Sequence, residues 1–110
     1  MTTYVLERRG IDLALPEGTE IHAGITGTVT TAAFDSTYGN YIVIKNADGI
    51  EMKYAHCATL LYSAGQPVET GDVIATVGNT GTSTGAHLHM EILKDGIYMN
   101  PIYFVETFYF

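Results

Sequence analysis

Two histidines separated by a single residue, His87 and His89, form the strongest chemical signal in this sequence. Residues two apart on a β-strand project from the same face, so both imidazoles can converge on one ion or one substrate. The preceding residues 78–85 read GNTGTSTG and are too rich in glycine and polar side chains to build a hydrophobic core. We therefore predict that they form a loop that lines a cleft beside the two histidines.

Two predicted hairpins bring histidines to this cleft. Residues 41–56 form the first, because strand-like runs flank Asp48-Gly49, and Asp-Gly supplies the positive φ angles that tight hairpins need. This hairpin delivers His56. Residues 87–99 form the second hairpin, which turns at Asp95-Gly96 and delivers the paired histidines.

The rest of the chain also predicts short strands and no helix. Twelve glycines and runs rich in Val, Ile, Thr and Tyr are punctuated by turn dipeptides. A faint internal repeat relates residues 17–28 to residues 70–82, which indicates two similar strand-turn units closing one β-sandwich. We expect a single all-β domain over residues 1–110, a small and mostly antiparallel sandwich, with one long loop from about Ala58 to Pro67.

Length and charge exclude several classes of protein. With 110 residues and 46% hydrophobic content, the chain fits one compact domain. Its formal net charge of −7 would repel a phosphate backbone and no basic cluster offsets it, so we expect no nucleic-acid partner. We expect no membrane span, because no apolar run approaches the roughly 18 residues required. The opening residues also lack the pattern of an export signal.

Ordered motifs extend over most of the chain, from about Arg8 to Phe104. The most specific is residues 84–91, TGAHLHME. The others are Gly10-Ile11-Asp12-Leu13-Ala14, Pro16-Glu17-Gly18-Thr19, Tyr38-Gly39-Asn40-Tyr41, Tyr54-Ala55-His56, Gly65-Gln66-Pro67-Val68, Thr70-Gly71-Asp72-Val73-Ile74 and Gly78-Asn79-Thr80-Gly81. Together they resemble the lysostaphin-type, LytM-like family of zinc endopeptidases, which cut peptide stems or cross-bridges of peptidoglycan.

The resemblance implies a zinc site in an open groove. Asp12 and His89 would be zinc ligands, while His56 and His87 would flank the metal and act on the attacking water or the developing oxyanion. A catalytic zinc keeps three protein ligands and an open position for water, whose pKa falls to about 7 when bound. The residues expected to line the substrate groove are Tyr38, Asn40, Thr80, Ser83 and Thr84.

The family pattern His-x-Gly-x-Asp is broken at its first position. Here it reads Arg8-Arg9-Gly10-Ile11-Asp12, so an arginine stands where the first zinc ligand is expected. A guanidinium has five donors and no acceptor, so it cannot ligate zinc. At about 4 Å from a dication it would be repelled by about 8 kcal/mol at an effective dielectric constant of about 20. We therefore expect zinc to be absent or weakly bound, with Arg8 lying beside Asp12 as an ion-pair partner.

Three functions remain open. The first is a zinc endopeptidase for cell-wall peptides whose impaired metal site is completed by water, by His22 or by another chain. The second is a non-catalytic relative that binds peptidoglycan or a protein partner through the same groove. The third is a lipoyl-like or phosphocarrier domain, although Lys53 follows the predicted turn by four residues and so lies within a strand rather than at a hairpin tip. For the first two, the resemblance implies a cell-wall, extracellular or phage-borne location.

Two further residues have simpler interpretations. The alternation around His22 predicts a strand residue at the cleft rim or surface rather than a replacement ligand. Cys57 follows His56 on the same strand and should face the opposite side as a small buried hydrophobe, not a nucleophile. As the single cysteine it cannot form an internal disulfide.

Overall fold

The computed structural model describes residues 3–7 and 9–100. Within these residues the chain forms ten β-strands and no helix, which confirms the predicted all-β class. No segment in this part of the chain is therefore a helix that could cross a membrane. The strands are β1 (Thr3–Glu7), β2 (Gly10–Ala14), β3 (Glu20–His22), β4 (Gly27–Asp35), β5 (Gly39–Lys45), β6 (Ile50–Leu60), β7 (Pro67–Val68), β8 (Val73–Val77), β9 (Leu88–Lys94) and β10 (Ile97–Tyr98).

A large antiparallel sheet dominates the fold. Its strand order is β1-β2-β9-β6-β5-β4-β7, and β10 adds to β9. The long strand β6 pairs with β9 along residues 50–55 and with β8 along residues 57–60. Because β8 also pairs with β3, β6 connects the large sheet to a small β3–β8 pair.

Both predicted hairpins are confirmed. Asn46 stabilises the β5–β6 turn, because its Oδ1 accepts hydrogen bonds from the backbone N–H groups of Asp48 and Ile50, each at 2.9 Å. At the β9–β10 turn, Asp95 and Gly96 have φ angles of 51° and 81°. Two successive positive φ values are those of the tight turn that matches strand twist, which explains why Asp-Gly occupies it.

The internal repeat corresponds to paired strands. β3 from the first copy pairs antiparallel with β8 from the second, with Ile21 opposite Ala75. Each strand follows a glycine in the left-handed region, Gly18 at φ 90° and Gly71 at φ 94°. Ile21 of β3 and Ile74, Ala75 and Val77 of β8 are fully buried in the common core, so the repeat encodes one structural unit used twice.

The expected loop from Ala58 to Pro67 is wrong in its first residues. Strand β6 continues to Leu60, where it pairs with Ala75 of β8, and Pro67 already belongs to β7. An irregularity in register between Cys57 and Thr59 lets the strand bend and continue. The connecting segment is therefore residues 61–66, whose Tyr62 packs against the core.

Alternation separates a buried face of the large sheet from a face that carries the polar side chains. In β2, Ile11 and Leu13 are fully buried, and Asp12 between them points to the opposite face. The same alternation in β9 places His89 and Glu91 on the face of Asp12. The core side chains contributed by the central strands are Ile11, Leu13, Ile42, Ile44, Met52, Tyr54, Leu88, Met90 and Ile92.

Candidate active site

Asp12 and His89 are direct neighbours across β2 and β9. Their Cα atoms are partners in the strand register, and Asp12 Oδ1 lies 2.6 Å from His89 Nδ1. His89 is 7% exposed. The sheet therefore fixes one carboxylate oxygen and one imidazole nitrogen beside each other, while the role of these two residues as zinc ligands stays a prediction.

Glu91 extends this pair and was not predicted as a site residue. It is 1% exposed, and its Oε2 lies 2.9 Å from His89 Nε2 and accepts a hydrogen bond of 2.9 Å from the hydroxyl of Tyr38. Lys53 Nζ lies 3.6 Å from the other oxygen, Oε1. A signal existed in the sequence, because residues 87, 89 and 91 alternate along one strand face.

The pKa values of these groups are shifted by one another. Burial opposes the charge on Glu91, but hydrogen bonds from His89 and Tyr38 and the charge of Lys53 outweigh it and lower the pKa of Glu91. Burial also opposes the charge on His89, yet its bonds to Glu91 and Asp12 raise the pKa of His89. Burial and the bond to Glu91 raise the pKa of Tyr38 to about 12, so its hydroxyl remains a donor.

His56 lies on β6 in the left-handed region, at φ 62°. Its backbone N–H donates to the carbonyl of Tyr38 at 2.7 Å, and its Nδ1 lies 2.7 Å from the carbonyl oxygen of Thr80. Since a carbonyl only accepts, Nδ1 carries the proton and Nε2 of the neutral ring is an acceptor. Burial lowers the pKa of His56, and the nearby His87 lowers it further. These effects outweigh the hydrogen bond to the Thr80 carbonyl, which acts to raise the pKa, so the neutral form of His56 is favoured.

His87 faces His56 across the groove. The two ring centroids are 4.7 Å apart, and His87 Nε2 lies 3.9 Å from Asp12 Oδ1. Its Nδ1 lies 2.8 Å from the carbonyl oxygen of Gly85 and 3.2 Å from Ser83 Oγ. The 78–85 loop thus orients this ring so that Nε2 points toward the Asp12–His89 pair.

Asn40 and Thr80 support His56 rather than lining the groove. Thr80 Oγ1 donates to the carbonyl of Cys57 at 2.7 Å and accepts from the backbone N–H of Asn40 at 3.1 Å. Asn40 Nδ2 donates to the carbonyls of Cys57 and Ala58 at 3.2 and 3.3 Å. Both side chains therefore fix the backbone that follows His56.

Two glycines allow the 78–85 loop to approach β5 this closely. Gly39, at φ 65°, has no room for a side chain, because a Cβ there would lie 2.4 Å from Thr80 Oγ1. A Cβ on Gly81 would lie 2.3 Å from the nitrogen of Gly39. The contact is therefore made between backbones, and it holds the Thr80 carbonyl against His56.

These side chains open onto one groove of about 600 Å³. The predicted groove residues Tyr38, Ser83 and Thr84 line it, and the two predicted ones that do not are Asn40 and Thr80. The lining residues are Arg9, Asp12, Thr37, Tyr38, His56, Thr82, Ser83, Thr84, His87, His89 and Glu91. A groove of this size, with convergent histidines and carboxylates, is that of a binding or catalytic site.

Residues 7–101 match Peptidase family M23. The chain belongs to this family. The M23 domain is 38% identical over 101 residues to peptidoglycan DD-endopeptidase ShyC of Vibrio cholerae, covering 92% of this chain and 23% of that protein. It therefore spans less than a quarter of ShyC. The resemblance found in the sequence is confirmed.

Solved structures agree with this assignment. The catalytic domain of lysostaphin from Staphylococcus simulans superposes with a TM-score of 0.82 at 27% identity, covering 90% of this chain and 79% of that one. A chain of the SpoIIIAH and SpoIIQ complex superposes with a TM-score of 0.75 at 31% identity, covering 92% and 77%. Stage II sporulation protein Q of Bacillus subtilis is 34% identical over 108 residues, covering 94% of this chain and 38% of that protein.

The M23 domain presents an incomplete donor set for zinc within the described residues. Asp12 Oδ1 and His89 Nδ1 converge, and a histidine whose second nitrogen is held by a carboxylate, as Glu91 holds Nε2, is typical of metal sites. No group of three or more His, Cys, Asp or Glu side chains in residues 3–7 and 9–100 is arranged to hold a metal ion. A catalytic zinc requires three protein ligands, so these residues alone do not fit it.

Arg8 and the remaining candidates do not complete the set. Arg8, with its predicted position beside Asp12, lies outside the described residues. His22 is an exposed residue of β3 whose Nδ1 lies 2.9 Å from the carbonyl oxygen of Gly71, and it does not line the groove. Cys57 is fully buried and burial raises the pKa of its thiol to about 12, so it is not a nucleophile.

Proposed function

We propose that this M23 domain acts on peptidoglycan peptides and that its hydrolytic site is impaired because Arg8 replaces the first zinc ligand. The convergence of Asp12, His89, His56 and His87 in one groove supports a hydrolytic ancestry for the site. Membership of the family and the activity named for ShyC support the substrate. The cell wall, the extracellular space or a phage particle is the matching location.

Two histidines of this chain would supply proton transfer and stabilisation of the oxyanion. Neutral His56, with Nδ1 tied to Thr80, offers Nε2 as a proton acceptor in the groove. His87, whose Nδ1 donates to the carbonyl of Gly85, presents Nε2 beside Asp12, and its protonated ring can donate a hydrogen bond from Nε2 to a developing oxyanion. Zinc, where an M23 site holds it, supplies a Lewis acid that lowers the pKa of a bound water.

Arg8 decides how well zinc binds. It removes a neutral nitrogen donor and adds a positive charge four positions before Asp12, a remaining ligand. Structural zinc sites bind with about 10 to 16 kcal/mol, and a lost ligand together with about 8 kcal/mol of repulsion removes most of that affinity. Two protein ligands therefore retain zinc weakly.

A second candidate function is binding without hydrolysis. The incomplete donor set favours it, because the groove and its side chains persist without a third ligand among the described residues. The structural relative in the SpoIIIAH and SpoIIQ complex supports a protein partner as an alternative to a peptidoglycan peptide. Binding of the parent chain to purified peptidoglycan, without release of peptides, would favour this function.

Restoring the ligand tests the proposal. The parent chain, Arg8→His and Arg8→His with His87→Ala are incubated in parallel with glycine-rich and stem-peptide substrates, and the products are separated by chromatography. We expect cleavage to rise in Arg8→His and to be lost again when His87 is removed. No gain of cleavage in a zinc-loaded Arg8→His protein would mean that more of the site than position 8 has been lost.

A further inference from the structure

Lys53 lies directly opposite Glu91 in the register of β6 and β9. Its Nζ is 3.6 Å from Glu91 Oε1, and its side chain is 21% exposed. The ammonium group also lies 4.3 Å from the centroid of the Tyr38 ring and 5.7 Å from that of Tyr41. Two aromatic faces and one buried carboxylate thus confine this lysine beside the groove residues Tyr38 and Glu91.

The two oxygens of Glu91 have different partners. Oε2 is shared by His89 Nε2 and the Tyr38 hydroxyl, at 2.9 Å each. Oε1 is buried and has no hydrogen-bond partner among the described residues. Tyr98 also faces this carboxylate, and its pKa is raised by burial and by the charge of Glu91. Within the described chain, Lys53 is the only lysine or arginine within 4.0 Å of Glu91.

We propose that Lys53 is a positioning residue for His89, acting through Glu91. A carboxylate is planar, so an ammonium that holds Oε1 also sets the direction of Oε2. That oxygen in turn fixes Nε2 of His89, and the ring can then present only Nδ1 to Asp12. Without Lys53, Glu91 keeps a buried charge with no counter-ion on Oε1, and rotation of the carboxylate releases the histidine ring.

The contribution of Lys53, Glu91 and His89 to hydrolysis or ligand binding rests on the proposed function. The orientation of His89 is independent of that function, because it is measured on the protein without substrate or metal. A protein that neither binds nor cleaves cell-wall peptides would overturn the proposed function and leave the orientation measurable.

The test records the imidazole N–H protons of His89 by NMR on the protonated ring, because both ring nitrogens lie against carboxylate oxygens. In the parent chain we expect a slowly exchanging proton on Nε2, held by Glu91. Lys53→Met should abolish the slow exchange of this proton, while Lys53→Arg should restore it. Lys45→Met is the matched control, because Lys45 forms a more exposed ion pair with Glu51 at 3.8 Å, and it should change nothing at His89.

A second pair of variants keeps the test decisive if Lys53→Met does not fold. In Glu91→Gln the carboxylate charge is absent, so adding Lys53→Met should leave the His89 resonances of Glu91→Gln unchanged. An additional change of His89 in that double variant would show that Lys53 acts by another route. Unchanged exchange of the His89 Nε2 proton in folded Lys53→Met, with faster exchange in Glu91→Gln, would overturn the role of Lys53.

Discussion

Asp12 Oδ1 lies 2.6 Å from His89 Nδ1, although the two residues are 77 positions apart in sequence. The pairing of β2 with β9 makes them register partners, so the sheet itself brings them together. Alternation along β9 places Glu91 on the same face as His89, next to Nε2 of its ring. The 78–85 loop orients His87 so that its Nε2 points toward Asp12. The groove therefore depends on strand register and on one loop contact, and both can be tested.

The loop contact predicts an unusual cost for a small substitution. Gly39→Ala should destabilise the protein by more than the about 1–2 kcal/mol that a left-handed backbone alone costs, because its Cβ would also strike Thr80 at 2.4 Å. Gly65→Ala is the control, since Gly65 has φ 93° but nothing within 4 Å of its Cβ position. Urea denaturation measures both, and equal losses of stability would contradict the packing argument.

The lowered pKa of Glu91 predicts a loss of stability in acid. A carboxyl group with a lowered folded-state pKa stabilises the fold fully above its unfolded value of 4.5, and this contribution is lost as the pH falls through the lower, folded-state pKa. Glu91→Gln has no such group. Urea midpoints measured on acidification below about 4.5 should therefore fall more steeply in the parent chain than in Glu91→Gln. Parallel curves would show that Glu91 is not the group responsible.

A buried hydroxyl in the core gives a third prediction. The backbone N–H of Gly24 donates to the hydroxyl of Tyr54 at 2.9 Å, and Tyr54 is fully buried. Tyr54→Phe should cost about 1 to 3 kcal/mol, because it leaves this N–H without its acceptor. Tyr41→Phe is the control, since no hydrogen bond of its hydroxyl is found among the described residues. A Tyr54→Phe protein as stable as the control would refute the assignment.

Cys57 should be inert to thiol reagents in the native protein. Burial raises the pKa of its thiol to about 12, so almost no thiolate exists at neutral pH and the sulfur is shielded from solvent. A chromogenic disulfide reagent should react slowly with the folded chain and rapidly after denaturation in urea. Fast reaction of the native protein would indicate that β6 opens locally.

Short-range signals predicted the hairpins and the strand class. Asp95-Gly96 adopts the positive φ angles that its residue types favour, and the alternation of His87 and His89 predicted their shared face. Glu91 follows the same alternation, but a carboxylate on a strand can face either water or a buried partner. Only the register of β6 with β9, which sets Lys53 opposite Glu91, decides between these.

Irregular backbone explains why Asn40 and Thr80, which were predicted to line the groove, do not line it. A register shift between Asn40 and Ile42 in the β5–β6 pair changes which way Asn40 points, so simple alternation fails there. Thr80 is drawn to the carbonyl of Cys57 by a loop contact that needs Gly39 and Gly81 at close range. Such contacts join distant parts of the chain and leave little signal in local patterns.

The replacement of the first ligand by Arg8 is tested most directly by the zinc content of the protein as purified without chelator. The parent chain and Arg8→His are prepared in parallel and their zinc-to-protein ratios are measured by elemental analysis after dialysis. We expect well below one zinc per chain in the parent and about one in Arg8→His, because the histidine adds a third ligand and removes a repelling charge. Tight, stoichiometric zinc in the parent chain would contradict an impaired metal site.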